Sequence, residues 1–352
     1  MTPSPKKQRL LIFWSGTDFE DVYRAAFANH SDYDVELVSA QGRPHEKAGY
    51  RRLLRLRKEV DEGKFDLVLA NNIMRSPFPG NKGWATTASL AVRLLTYGRL
   101  RMDTWWAPWV VRYGASATPL AVIDGRDGHY VFPWDLPLLK AATLYFKRDL
   151  MNWPRRALMP LQDYYTEKKI RPHLAKIRPM SVCLEESRFA PTSRPMKDRD
   201  VDIFMSGSQN NPLRLMIQEK CQRLASRYRV VAHDGLLSFE EYLEMLQRSK
   251  LAVCVESYGG ETRRQYEVAA AGAIPLMSWP FTQVVDPMVP DVHAFYFSFI
   301  DDHFERTVDE ALRDADRLQR MSDATRSFML EKKQRKKSLR YFVEQTLAEA
   351  RT

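Results

Sequence analysis

Short apolar runs closed by turn residues alternate with stretches of helical spacing, and the alternation occurs in two series. The first series opens with RLLIFWSG (9–16), YDVELVSA (33–40) and FDLVLANN (65–72), runs of the length and apolar content of buried strands. DFEDVYRAAFANH (18–30) and YRRLLRLRKEVDEG (50–63) lie between them with apolar residues at helical intervals. A β-α-β-α-β order predicts a parallel sheet, since parallel neighbours need a crossover between them. TTASLAVRLLTYGRL (86–100) reads as a helix, TPLAVIDG (118–125) as a strand, and LPLLKAATLYFKRDL (136–150) as a further helix leading into ALMPL (157–161).

The stretch PMSVCLEESRFAPTSRPMKDRD (179–200) is rich in Pro, Ser and charge and has no apolar period, which marks a linker. A second series follows. VDIFMSGS (201–208), YRVVAHDG (228–235), LAVCVES (251–257) and AIPLMSW (273–279) read as strands. PLRLMIQEKCQRLASR (212–227) is a helix with Pro212 in its first turn, and SFEEYLEMLQRSK (238–250) opens with a Ser-x-x-Glu cap signature. From Thr307 onward the chain is helical almost to its end. The expected fold is α/β: two Rossmann-like, doubly wound domains facing a cleft, with a long C-terminal helix. The expected boundaries are 1–180 for a basic Rossmann-like domain, 181–199 for the linker, 200–325 for a second Rossmann-like domain, and 326–352 for a helix packing back toward the first domain.

Length supports two cores, because a single core stops growing near about 250 to 300 residues and the chain has 352. No run of 18 uncharged apolar residues occurs, and the apolar start is too short for a signal peptide, so a cytoplasmic protein is expected. Cys183, Cys221 and Cys254 stand alone in sequence, without the spacing of a zinc site or a disulfide framework. The net charge of +10 is unevenly divided. Residues 1–180 hold 29 Lys+Arg against 18 Asp+Glu, a net of +11, and residues 181–352 hold 25 against 26, a net of −1. An anionic partner of the first half fits this split, as does a simple solubility role.

The chemistry concentrates in GGETRRQYEVAAAGAIPL (259–276). With Thr262 as N-cap, Arg263, Arg264 and Glu267 fall in the first two turns of a helix, and Arg264 and Glu267, three apart, share a face. Free backbone N–H groups and a guanidinium fork suit a diphosphate, and a carboxylate one turn on suits the hydroxyls of a ribose. The small residues after Glu267 let the helix pack hard against a sheet, which leaves little room for a purely solvated Arg–Glu pair. Ser206, Gly207 and Ser208 close a strand before a helix, in the manner of a phosphate cradle or simply of a tight turn.

ETRRQYEVAAAGAIPLMS (261–278) resembles the C-terminal signature of GT-B glycosyltransferases, in particular the spore-maturation-type and group-1-like families and more distantly the exostosins. DVDIFMSGS (200–208), SFEEYLEMLQRSKLAV (238–253) and LPLLKAATLYFKRDL (136–150) are similar to those families in the same order, so the resemblance covers residues 120–285 or so. It implies a transferase using a nucleoside-diphosphate sugar as co-substrate, without a further cofactor. The donor-binding set is Ser206, Gly207, Ser208, Glu261, Thr262, Arg263, Arg264 and Glu267, with Arg264 on the diphosphate and Glu267 on the ribose. Glu267 also resembles the second acid of the retaining Glu-x7-Glu pattern. Eight residues before it stands Gly259, with Glu256 and Glu261 the nearest acids, so retention and inversion both stay open.

In that family the first domain holds the acceptor. Its candidate loops follow predicted strands: WSGTDFED with Gly16, Thr17 and Asp18, NNIMRSPFPGNKG (71–83), and IDGRDGHY with Arg126, Asp127 and His129. Asp18 and Asp127 are the candidate general bases, although loop aspartates also serve as turns and caps. Gly16, Thr17, Arg126 and His129 are the candidate acceptor contacts. Asp200 and Asp202 precede a strand, so they read as a charged lead-in, and no metal is expected. The stretch MDTWWAPWVVRYG (102–114) and the basic face of Arg51, Arg52, Arg55 and Lys58 admit peripheral contact with the inner membrane surface or with phosphates, or an ordinary surface role. The expected activity is sugar transfer to an anionic glycan or glycolipid. Transfer to a hydroxylated base in DNA is the alternative, and a noncatalytic nucleotide or nucleic-acid binding protein is the reading from another class.

Overall fold

The computed structural model describes residues 7–14, 30–39, 50–71, 118–125, 131, 135–152, 170–184, 188–189, 193–207, 211–256 and 260–352. The chain divides into two compact units. One comprises Met1–Arg148, Trp153–Pro179 and Leu339–Thr352, and the other Asp149–Asn152 and Met180–Ser338.

The first unit is built on a six-stranded sheet in the order β2-β1-β3-β4-β5-β6. Its strands are β1 (Gln8–Trp14), β2 (Tyr33–Ser39), β3 (Leu67–Asn71), β4 (Leu120–Asp124), β5 (Leu144–Arg148) and β6 (Ile177–Met180). From β2 across to β5 the pairing is parallel throughout. Successive residues Leu10, Leu11 and Ile12 are all fully buried, as are Leu67, Val68 and Leu69. A strand covered on both faces has no polar alternation to show, which is why these segments read as continuous apolar runs.

Helix α1 (Tyr50–Asp61) carries the basic face seen in the sequence. Arg55 pairs with Glu59, Lys58 with Glu62, and Arg52 reaches Glu36 on β2. Arg52, Arg55 and Lys58 are thus each paired with an acid, the pattern of a solvated helix surface.

Residues 136–150, expected as one helix, split into helix α2 (Leu136–Ala141) and strand β5. Tyr145 and Phe146 favour a pleated, buried setting, and the run from Leu144 to Lys147 is buried between the flanking strands. Parallel register places Asp124 of β4 opposite Lys147 of β5. Both side chains are buried and their charged atoms lie 3.7 Å apart, and the Tyr145 hydroxyl donates to the same Asp124 oxygen at 2.7 Å.

The second unit holds a five-stranded sheet in the order β11-β10-β9-β7-β8. The strands are β7 (Val201–Gly207), β8 (Val230–Asp234), β9 (Ser249–Cys254), β10 (Ile274–Ser278) and β11 (Phe295–Phe297), and their pairing is parallel. Helix α3 (Pro212–Leu224) starts on Asn211, whose side chain accepts the Leu213 N–H. Helix α4 (Phe239–Arg248) starts on the full capping box of Ser238 and Glu241 that its sequence announces. Helix α5 (Arg263–Ala270) follows β9. Ile203, Ile217, Leu251, Val253, Ile274 and Leu276 form the centre of the core.

The helical tail consists of α6 (His303–Ala311), α7 (Ala315–Lys332) and α8 (Arg335–Glu349), so the helix expected over 326–352 is divided between the end of α7 and α8. Asp314 makes the first break, because its carboxylate accepts the Arg317 N–H and caps a new start. The four residues Asp149–Asn152 belong with the second unit by hydrogen bonds. The Asn152 N–H donates to Phe281 O, Gln283 N–H to Leu150 O, and Glu261 N–H to the Asp149 carboxylate.

Candidate functional site

In the second sheet the chain runs outward from β7 to β8 and then returns across β7 to β9, so the strand order reverses between β7 and β9. Ligands of open α/β sheets bind beyond the carboxyl ends of the strands at such a reversal. Two residue groups meet there. One is the end of β7 at Ser206 and Gly207, and the other is the start of α5, the first helix after β9.

Gly207 has φ +127°, a backbone conformation that suits glycine. A Cβ at this position would lie 2.4 Å from a terminal nitrogen of Arg264. The guanidinium therefore rests directly against the strand end, and the absence of a side chain at residue 207 is what admits it. Ser206, the residue before Gly207, is buried. Thr262 occupies the N-cap position of α5 without a side-chain cap bond. Gln265, Tyr266, Val268, Ala269 and Ala270 of α5 are buried, whereas Arg263, Arg264 and Glu267 are half-buried. The small residues after Glu267 thus bury one face of the helix while its charged residues keep the other.

Four residues that the sequence alone did not single out for this site complete the cluster. Arg214, in the first turn of α3, is pushed below the ordinary arginine pKa by burial and by the positive charge of Arg264. Two guanidinium groups held close enough to repel each other form a setting that favours an anion. Tyr242 of α4 has its hydroxyl buried, and its pKa is raised by burial, with Arg264 and Glu267 both acting on it. Burial lifts Cys254, at the end of β9, to about 12, against the opposing pull of Arg264. Arg188, from the segment before β7, donates to Glu267 Oε1 at 2.7 Å. Only folding brings these residues to α5 from four separate parts of the chain, so no local motif announces them.

Glu261 faces a different way from Arg264. Its side chain is buried and accepts the hydroxyl of Tyr266, and its backbone N–H donates to Asp149 Oδ1 at 2.9 Å. Lys333, also buried, lies 4.9 Å from the Tyr266 ring centroid and donates to Val285 O. Glu256, just past β9, lines a cavity with Gly260, Gln265, Tyr266, Ser278 and Tyr296. Burial, helped by the Asp149 charge, raises its carboxyl to about 7. Asp200 is ion-paired with Arg229 and Arg248, and Asp202 with Lys250.

Gly16, Thr17, Asp18, Arg126, Asp127, His129 and Ser208 lie outside the described residues, as does the aromatic stretch 102–114. The strands expected to lead into the three candidate loops of the first unit are present as β1, β3 and β4. No helix among the described residues is long and apolar enough to cross a membrane.

No protein-family model matches the sequence, and no curated protein matches it. Solved structures do match the fold. An alpha-glucosyltransferase in complex with UDP and a 13-mer DNA containing a HMU base is 12% identical, with TM-score 0.55 over 99% of this chain and 100% of that one. A glycosyltransferase from Rickettsia africae is 10% identical, with TM-score 0.55 over 98% and 99%. The lipopolysaccharide outer core galactosyltransferase WaaB, in its apo form, is 11% identical, with TM-score 0.51 over 96% and 99%. The two parallel-sheet α/β units of this chain, with their helical C-terminus, have the fold of GT-B-type glycosyltransferases.

Proposed function

We propose that the chain is a glycosyltransferase that takes its sugar from a nucleoside-diphosphate sugar. The observation that carries this reading is Arg264 lying on the Gly207 backbone at the strand reversal, with Arg214 near enough to feel its charge. The donor diphosphate docks at the amino end of α5 between these guanidinium groups, where the helix also presents its free N–H groups. Glu267 takes the ribose hydroxyls. As the bond from the anomeric carbon to the phosphate oxygen breaks, negative charge grows on the leaving diphosphate, and two fixed guanidinium groups stabilise it without having to reorganise. Transfer is metal-independent and uses no cofactor besides the donor; Asp200 and Asp202 are engaged by Arg229, Arg248 and Lys250. The sense of transfer stays open, with Asp18 or Asp127 as the base in an inverting reaction.

The acceptor is anionic and is held by the first half of the chain, whose net charge is +11 over residues 1–180. An anionic glycan or glycolipid is the first reading, with the protein cytoplasmic and touching a membrane surface at most peripherally. A hydroxylated DNA base is the second, favoured by the structural likeness to a glucosyltransferase in complex with UDP and a DNA containing a HMU base. The base would have to leave the duplex to reach a donor site of this kind.

A panel of nucleotide sugars tested for thermal stabilisation, followed by release of free sugar and nucleoside diphosphate, checks the proposal. The right donor stabilises the wild type and is slowly hydrolysed. Arg264→Ala and Glu267→Ala abolish that stabilisation while the unliganded melting transition stays cooperative. Unchanged donor affinity in both variants would sink the site.

A further inference from the structure

The Arg188–Glu267 contact differs from an ordinary surface ion pair in three respects. Its partners are 79 residues apart in sequence, so it is not the intrahelical pair that the Arg264 and Glu267 spacing suggests. It is short, at 2.7 Å, with the two side chains 31% and 14% exposed. The Arg188 guanidinium also lies over the Phe239 ring, 4.9 Å from its centroid. Phe239 is the first residue of α4, directly after the N-cap Ser238 and inside the Ser238–Glu241 capping box, so the ring stands on a fixed helix start. A planar cation stacked on a ring and bonded to a carboxylate holds both its position and its plane. The bond engages one carboxylate oxygen, Oε1, and an ionised carboxylate offers acceptor sites on both oxygens.

We propose that Arg188 is a positioning residue for nucleotide recognition. It fixes the Glu267 carboxylate through Oε1 and turns Oε2 toward the ribose, and so sets a preference for ribonucleotides over deoxyribonucleotides. This rests on the donor reading given above, with Glu267 on the ribose. Arg188 itself does not touch the sugar. A bare carboxylate at the end of a glutamate side chain samples several rotamers, and freezing it before the ligand arrives removes an ordering cost from binding. The preference should vanish when Glu267 is free to swing, even though Glu267 is still present.

Calorimetric titration with UDP and with 2′-deoxy-UDP tests the assignment in the wild type, Arg188→Ala and Arg188→Lys. The wild type should bind UDP about tenfold more tightly than the deoxy analogue, the range of one hydrogen bond to a charged group. Arg188→Ala should weaken UDP about tenfold and 2′-deoxy-UDP by less than about twofold, so that the two affinities converge. Arg188→Lys should recover part of the difference, because it keeps a point charge but loses the planar stack. A residue that merely staples its own segment to α5 would instead weaken both nucleotides equally in the alanine variant, and that result overturns the proposal. Tighter UDP binding by Arg188→Ala also overturns it, since Arg188 would then be blocking Glu267. If the wild type binds both nucleotides equally well, the ribose role of Glu267 fails while the donor reading stands. If it binds neither of these nor any other nucleoside diphosphate in a panel of bases, the donor reading falls and this assignment with it.

Discussion

The guanidinium of Arg264 lies so close to the backbone of Gly207 that a methyl group built there would stand 2.4 Å from its nearer nitrogen. A substitution at residue 207 therefore acts on the arginine before it acts on the strand. Gly207→Ala should lower stability by about 1 to 3 kcal/mol, because φ +127° strains any residue with a Cβ. Donor affinity should fall much further, since the displaced guanidinium leaves the phosphate position. Thermal melting with and without the preferred nucleotide sugar separates the two effects. Full donor stabilisation in this variant would contradict the placement of Arg264.

Arg214 feels the charge of Arg264 and, in the proposed donor site, supplies a second charge to the diphosphate. Arg214→Gln should weaken the binding of UDP and of inorganic pyrophosphate by about tenfold while uridine binding changes little, because only the diphosphate ligands present the charge it meets. Parallel titrations with the three ligands check this. Equal losses for uridine and UDP would assign Arg214 to the base or to the fold instead.

Glu256 makes stability depend on pH in a definite direction. Burial and the Asp149 charge raise its carboxyl from an ordinary value near 4.5 to about 7 in the folded chain. The folded protein therefore holds this proton more tightly than the unfolded chain does. The stabilisation is complete below about 4.5, declines as pH rises toward 7, and changes no further above that. Glu256→Gln should remove this decline and stabilise the protein above pH 7 by about 1 to 2 kcal/mol, less than the full shift implies because the group is partly solvated. Denaturant unfolding at a series of pH values would show the two curves converging at low pH and parting as pH rises.

Asp124 and Lys147 are opposite each other on β4 and β5, and both are buried. Removing one charge leaves the other in the interior. Lys147→Met should destabilise the first unit by about 3 to 5 kcal/mol. The double change to Asp124→Asn with Lys147→Met should recover part of the loss. A double variant less stable than the single one would argue against the charge explanation.

Turnover, once a donor is found, should survive EDTA if transfer is metal-independent as proposed. If the acceptor is duplex DNA, its affinity should fall steeply and linearly on a log–log plot against salt. Binding to vesicles of anionic lipid, with none to DNA, would favour the glycolipid acceptor instead.

The fold was legible where one segment carried its own signal. Ser238 and Glu241 announce the start of α4, the apolar runs 9–16 and 65–72 announce β1 and β3, and the repeated strand-helix alternation announces parallel sheets. It was misread where local propensity and burial pull apart. Leu144–Arg148 continues a helical pattern on paper, yet its aromatic residues are buried as a strand between β4 and β6. In the candidate site, Arg264 and Glu267 could be singled out from their spacing on one helix. Arg214, Tyr242 and Arg188 could not, because each reaches α5 from another element. Nor does spacing say which way a side chain turns: Glu261, two residues before α5, points inward to the Tyr266 hydroxyl.

The division of the chain has a consequence for its synthesis. Asp149–Asn152 finds its partners at Glu261, Phe281 and Gln283, so these four residues leave the ribosome well before the groups they bond to exist. Residues Leu339–Thr352 belong with the first unit, which for that reason becomes complete only after the second unit has been made. The half that begins first is finished last, and no single cut of the chain yields either half whole.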